Sequence, residues 1–340
     1  MTEVSILVGR HGTFLEHEAG RNHPERPQRL LAVLAGIAAA EVSEDVVEFE
    51  PRPATVDELC RVHAPGYVDT LREFCRTGGG RLDPDTAAVP ASFEAALRAA
   101  GAGLDAVARL RAGEADAAFL AVRPPGHHAL AGSAMGFCLF NNVAVTAAAL
   151  AAQGERVVVV DWDAHHGNGT QAIFWEEPLV LYVSLHQYPF YPGTGALDEL
   201  GAGAGTGTTV NIPLPGGATG DVYRRAFDEV VVPVAEAHRP DWVLISAGFD
   251  AHRADPLTDL GLSAGDFADL TSRTAALAPT GRRIAFLEGG YDLEALQLSV
   301  RASVDALGGH LVRPEPVSAR GPSDDLGDRV VAAAARLHSR

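Results

Sequence analysis

The chain has 340 residues, 47% hydrophobic and 21% charged, with 44 acidic against 27 basic side chains and a formal net charge of −17. That balance excludes a disordered chain and argues against a general nucleic-acid binder. Three cysteines, Cys60, Cys75 and Cys138, form no CxxC pair and no even framework; with no basic-then-apolar leader and no bilayer-length apolar run, a cytoplasmic protein is the expectation.

In chain order, strand-like runs are expected at Val4–Val8, Val46–Phe49, Ala117–Val122, Val157–Val160, Leu179–Leu185, Trp242–Ser246 and Ile284–Leu287. Helical patterns lie at Pro27–Ala40, Pro65–Arg76, Phe93–Arg111, Val143–Ala152, Asp221–His238, Ala264–Ala278 and Leu293–Leu307. Pro27 and Pro65 stand where a first helical turn tolerates proline. The alternation predicts an α/β fold, a single doubly wound and mainly parallel sheet with helices on both faces. Residues 1–313 read as one domain. Gly201–Thr208 reads as a surface loop, and Pro314–Asp325 as a flexible connection to a final amphipathic helix, Leu326–Leu337.

The chemistry gathers in the polar segments that follow the strands. Four valines, Val157–Val160, run into Asp161-Trp162-Asp163-Ala164-His165-His166-Gly167-Asn168-Gly169. Asp161, Asp163 and His165 are spaced by two, so an extended segment puts them on one side. Two carboxylates and an imidazole there suit a divalent metal such as zinc, and they equally suit a strand end whose aspartates cap the next turn. After Ala117–Val122 comes Arg123-Pro124-Pro125-Gly126-His127-His128, whose adjacent histidines suit proton transfer. The apolar Gly136–Asn142 that follows reads mostly as core. His186–Gly195 is aromatic, proline-rich and suited to walling a channel. Asp250, after Trp242–Ser246, can converge with Asp163 and His165. Glu288-Gly289-Gly290-Tyr291, after Ile284–Leu287, can turn a phenol inward.

RPPGHHA, GFCLFNN, DWDAHHGNGTQ, SLHQYPFYPGTG, AGFDAHRADPL and LEGGYDLEAL occur in the order found in the arginase-like deacetylases, so the chain resembles that family of zinc-dependent histone deacetylases and acetylpolyamine amidohydrolases from about Gly9 to Leu307. HPERPQRL (His23–Leu30) resembles the class II branch and its bacterial relatives. The resemblance implies one zinc ion held by Asp163, His165 and Asp250, and a tandem proton-handling pair, His127 and His128. It implies a hydrogen bond from Tyr291 to the developing oxyanion, and orientation of His127 by Asp161. Asn168 stands where many class I relatives carry a second aspartate, which would leave His128 less basic. A structural potassium is implied at Asp161, Asp163, His165, Ser184 and Leu185. Phe137 and Tyr191 would wall the acyl-lysine channel, with Gly136 beside it. Asp85 and Leu257 would stand at the rim, Leu257 where a polyamine-specific branch carries glutamate. His23 is present without the cysteines of a second structural zinc, so none is expected.

The implied activity is a zinc-dependent amidohydrolase that removes an acyl group, most simply acetyl, from a lysine side chain. Deacetylation of acetylpolyamines or another small N-acyl compound is the alternative. A non-catalytic acyl-lysine sensor would be expected to lack the tyrosine, a histidine or a ligand, and a dimanganese arginase would need further carboxylates. The expected partners are an acyl-lysine peptide or protein or a small N-acetylated amine, with no nucleic acid and no membrane; a homo-oligomer is left open.

Overall fold

β-Branched and aromatic runs give the sheet its strands. The structure is a computed structural model describing residues 4–339. Its strands are β1 (Ile6–Gly9), β2 (Val46–Phe49), β3 (Gly80–Arg81), β4 (Ala87–Ala88), β5 (Ala117–Leu120), β6 (Val157–Asp161), β7 (Val180–Gln187), β8 (Thr209–Leu214), β9 (Trp242–Ala247) and β10 (Arg283–Leu287). Eight of them form one sheet in the order β2-β1-β5-β10-β9-β6-β7-β8, all parallel. β3 and β4 pair separately as a short antiparallel hairpin.

Every residue of β6, β7 and β9 is buried, so the sheet is covered on both faces. Helices Ser92–Arg111 and Asn142–Ala151 pack together as one group, and Pro27–Ala38, Leu293–Leu307 and Ala264–Ala275 as the other. The core runs through the central strands, where Val157 to Val160, Trp242 to Ile245 and Ile284 are fully buried. In-register pairing sets Asp161 beside both Ser184 and Ser246, so β6 and β9 end almost level while β7 runs on to Gln187. Loops leaving these ends meet on one side of the sheet, where open α/β folds bind ligands.

Three expectations change. Residues 209–214 are a strand. Pro213 there lacks an N–H and follows a glycine-rich loop, which hid the strand, but β8 is an edge strand and tolerates it. Asp221–His238 is not one regular helix: Gly220–Ala226 passes through a π-helical turn, Phe227–Val231, into Val232–His238. Pro233, at the start of that last segment, cannot donate to the preceding turn, and the wider turn absorbs the break. The 314–325 connection is fastened down: Ser318 donates its N–H to Asp266 (3.0 Å), and Asp324 accepts from the N–H and hydroxyl of Thr219 (3.0 and 2.6 Å). The final helix, Asp324–His338, lies against β8 and covers that edge. No helix among the described residues is long and apolar enough to cross a membrane.

Candidate active site

β6 ends in Asp161, and the chain then turns so that each next polar residue is held by the one before it. Asp161 Oδ1 accepts the N–H of Asp163 (3.1 Å), and Asp163 Oδ1 accepts that of His165 (2.9 Å). Asp250, just beyond β9, accepts the N–H of Ala164 (2.8 Å), tying the two loops together. One donor atom from each of Asp163, His165 and Asp250 lies within 4.8 Å of the others. His165 Nδ1 stands 3.1 Å from Asp163 Oδ1 and 3.0 Å from Asp250 Oδ2.

This cluster can hold a divalent cation. Two carboxylates are buried together, and His165 bridges them. Burial opposes a proton on that ring, but the bonds to Asp163 and Asp250 outweigh it and raise His165 to about 10. The backbone makes room for the carboxylates as well. A Cβ on Gly248 would fall 2.1 Å from Asp163 Oδ2, and one on Gly289 2.2 Å from Asp250 Oδ2. Gly289 instead donates its N–H to Asp163 Oδ2 (2.8 Å).

The adjacent histidines leave β5 through the Pro-Pro-Gly turn, with ring centroids 4.0 Å apart. His127 Nδ1 donates to Asp161 Oδ2 (3.0 Å), which also accepts the Tyr182 phenol (3.0 Å). His128 Nδ1 donates to the Asn168 side-chain oxygen (2.8 Å). Burial works against a charge on His127, yet Asp163 and Asp161 outweigh it and hold the ring well above its ordinary range. Burial drives His128 the other way, reinforced by His127 and His165, and keeps it well below that range. Tyr291 follows β10 and is 8% exposed; burial holds its phenol well above the ordinary value, so it stays protonated.

Aromatic rings close the site from two sides. Phe137 stands edge-on to Tyr291 (5.8 Å), and Tyr191 edge-on to His128 (5.4 Å).

The sequence profile of the histone deacetylase domain matches residues 23–307. The chain belongs to the histone deacetylase family. Similar relatives include a probable deacetylase of Archaeoglobus fulgidus, 42% identical over 84% of this chain and 80% of its own. Another is the histone deacetylase-like amidohydrolase of Pseudomonas aeruginosa, 37% identical over 88% of this chain and 80% of its own. The crystal structure of the HDA15 HD domain superposes with a TM-score of 0.89 at 39% identity, covering 98% of this chain and 94% of that one. The architecture is therefore the arginase-like deacetylase fold, and the family supports amide hydrolysis as the activity.

Within that histone deacetylase frame, Asp161, Asp163, His165, Asp250, His127, His128, Asn168 and Tyr291 all gather at the strand ends. Ser184 lies beside Asp161 across the β6–β7 ladder, and its hydroxyl is engaged with His186 Nδ1 (2.9 Å). Leu185 follows it, fully buried. Asp85 Oδ1 accepts from Gly136 N–H (3.3 Å) and the Thr86 hydroxyl (2.9 Å), next to Phe137. Leu257 is 36% exposed and donates its N–H to Asp255 Oδ1 (3.0 Å).

Further residues complete the site. Phe190 stacks on His165 with centroids 5.4 Å apart and planes at 29°. Glu288, fully buried, accepts the N–H groups of Gly126 (2.6 Å) and His127 (3.2 Å), and burial raises it to about 7. Arg29 donates to the carbonyls of Glu288 (2.5 Å) and Gly290 (2.6 Å), fixing the turn that carries Tyr291. Phe190 and Glu288 sit inside the quoted motifs, where their position beside a strand end was the available signal. Arg29 lies inside the quoted HPERPQRL segment, but it acts across 261 residues of chain, so its role was not readable from its neighbours.

Proposed function

We propose that this chain hydrolyses the acyl amide of an acyl-lysine side chain, most simply acetyl, using a zinc ion held by Asp163, His165 and Asp250. The observation that carries the reading is the convergence of those three donors within 4.8 Å beside a His pair and an inward phenol. One imidazole nitrogen and two carboxylate oxygens suit zinc, and three protein ligands leave a position for water or a carbonyl. When bound, zinc would supply Lewis acidity toward both of those oxygens.

The residues divide the remaining work. Neutral His128 is the group able to take a proton from water and pass it to the departing amine. His127, hydrogen-bonded to Asp161, is held in place beside the reacting atoms. The Tyr291 phenol donates a hydrogen bond where negative charge develops on the carbonyl oxygen. Phe137 and Tyr191 flank the methylenes of the lysine. Asp85 and Leu257 are assigned to the rim, where an apolar Leu257 offers no charge partner to a polyamine.

The test is a panel of acyl-lysine peptides and acetylpolyamines, run with elemental analysis of the purified protein. The expected result is one zinc per chain and a higher kcat/KM for acetyl-lysine peptides. Asp250→Ala should lose both zinc and hydrolysis while remaining folded. Unchanged zinc in that variant would overturn the ligand set, and a preference for acetylpolyamines over every peptide would overturn the substrate.

A further inference from the structure

The segment before the first long helix, Glu18–Arg26, folds against the β3–β4 hairpin, and His23 joins them. Its Nε2 donates to the Asp85 carbonyl (3.1 Å), and its Nδ1 accepts the Glu25 N–H (3.1 Å). The same ring stands edge-on to Phe137 at 4.6 Å, so this junction backs directly onto the channel wall. Outside it lies a cavity of about 450 Å³ whose lining includes Arg21, Asn22, His23, Arg81 and Asp85. An adjoining cavity of about 350 Å³ shares Arg21, Asn22 and His23 and adds Arg26.

The charge of this groove runs against that of the chain. With 44 acidic and 27 basic side chains, carboxylates are in excess. Many exposed arginines elsewhere take them up, as Arg10 does with Glu48, Arg52 with Glu58, Arg72 with Asp69 and Arg76 with Glu73, while Arg61, Arg239 and Arg336 stand singly without such a pair among the described residues; the groove differs in gathering three. Arg21, Arg26 and Arg81 are exposed and make no carboxylate pair among the described residues; the Arg81 guanidinium bonds only the Pro84 carbonyl. The nearby acids pair with none of the three: Asp83 turns Oδ1 to the N–H groups of Asp85 and Thr86, and half-buried Asp85 lines the cavity itself. Glu25 is buried against Arg123 (2.6 Å), and Asp85 Oδ1 is turned to Gly136 and Thr86. Exposed Glu18 is the remaining acid in the adjoining cavity.

We propose that the Arg21–Arg81 groove is a docking subsite for a carboxylate side chain close to the acyl-lysine in the substrate, so that the protein prefers peptides with a flanking Asp or Glu. The proposal rests on the acyl-lysine reading above. An extended peptide advances about 3.3 Å per residue. A glutamate one to three residues from the lysine therefore reaches from the channel mouth, marked by Phe137 and Asp85, into the cavity. Guanidinium groups offer a carboxylate paired donors, and a rim charge of this kind acts mainly on association and fades with salt. The same cations disfavour a polyamine at the same rim.

The experiment uses the zinc-loaded full-length protein and acetyl-lysine peptides of one length, carrying Glu, Ala or Arg at positions one to three on either side. Glu on at least one side should raise kcat/KM about three- to tenfold over Ala, mostly through KM, as expected for two partly exposed ion pairs. The ratio should shrink at high salt and fall to about one in Arg21→Gln/Arg81→Gln. Arg21→Glu/Arg81→Glu should turn the preference towards Arg-flanked peptides. Hydrolysis with no preference in the unaltered protein, or a preference that survives both double substitutions, would overturn the groove alone. Failure to hydrolyse any of the peptides would overturn the acyl-lysine reading and the groove with it.

Discussion

His127 and His128 are the same side chain at neighbouring positions, and their surroundings push their pKa values in opposite directions. His127 faces Asp161 and Asp163, and Glu288 lies beyond; His128 faces a neutral Asn168 and stands beside two rings that attract protons. A base must be unprotonated to work, so kcat/KM falls on the acid side as His128 gains its proton. A cation at the Asp163–Asp250 cluster would push that proton off further. Asn168→Asp sets a negative charge 2.8 Å from Nδ1, which favours the imidazolium and raises the pKa of His128. The acid limb of the kcat/KM–pH profile should therefore move to higher pH. An acid limb that stays in place or moves lower would remove His128 from the role of base. At this scale the residues of the candidate site were legible mainly through the order of the family motifs, because a carboxylate or imidazole after a buried strand taken alone equally suits a cap on the next turn. A residue acting through backbone, such as Arg29 on the Glu288 and Gly290 carbonyls, lies in such a motif without its role being readable from its neighbours.

At the scale of elements, the site depends on how closely two turns approach. The β6 and β9 loops are linked by the Ala164–Asp250 bond, and the β10 turn closes on them through Gly289 N–H. Asp163 and Asp250 have no room to withdraw, since both are buried. Gly289→Ala would drive a methyl into them and turn the carboxylates away from a shared cation. Zinc affinity should fall by at least about tenfold, the scale of losing a residue that orients metal ligands, while the far-ultraviolet circular dichroism stays the same. Competition with a chelating dye measures the first. Unchanged zinc affinity would show that the glycine makes no room that matters. Apolar runs bounded by helical periodicity made seven strands of the sheet readable, including the order in which their ends carry chemistry. β8 was hidden because an edge strand is free to hold Pro213, and the strand-to-strand crossings that set the sheet order have no local pattern.

For the whole molecule, the question is whether residues 314–340 are an attachment or part of the domain. Their polar groups are spent on the domain. Glu315 accepts from His252 Nε2 (2.7 Å) and Ala264 N–H (2.8 Å) and pairs with Arg253 (2.5 Å), bracing the segment that runs from Asp250 to Leu257. Ser318 accepts the Gly220 N–H (2.7 Å), and Asp324 holds Thr219, so both secure the start of helix Gly220–Ala226. Val331 and Ala334 are fully buried beside β8. Removing the segment would leave Thr219 without its partner, at about 1–3 kcal/mol, while Asp266 keeps Ser263 and Arg224. The removal would expose Val331's contacts for a further 1.5–3 kcal/mol or so, and bare the β8 edge to pairing with other chains. The sum, roughly 2.5–6 kcal/mol, is a large share of the stability of an ordinary domain. A chain ending at Arg313 is therefore expected to aggregate or to unfold at much lower urea than the full chain. Glu315→Ala, which leaves the helix in place, should lower the midpoint by a smaller and measurable amount. Equilibrium urea unfolding followed by tryptophan fluorescence checks both. A truncated chain that stays monomeric with an unchanged midpoint would mean that residues 1–313 fold alone and that the last helix is an appendage.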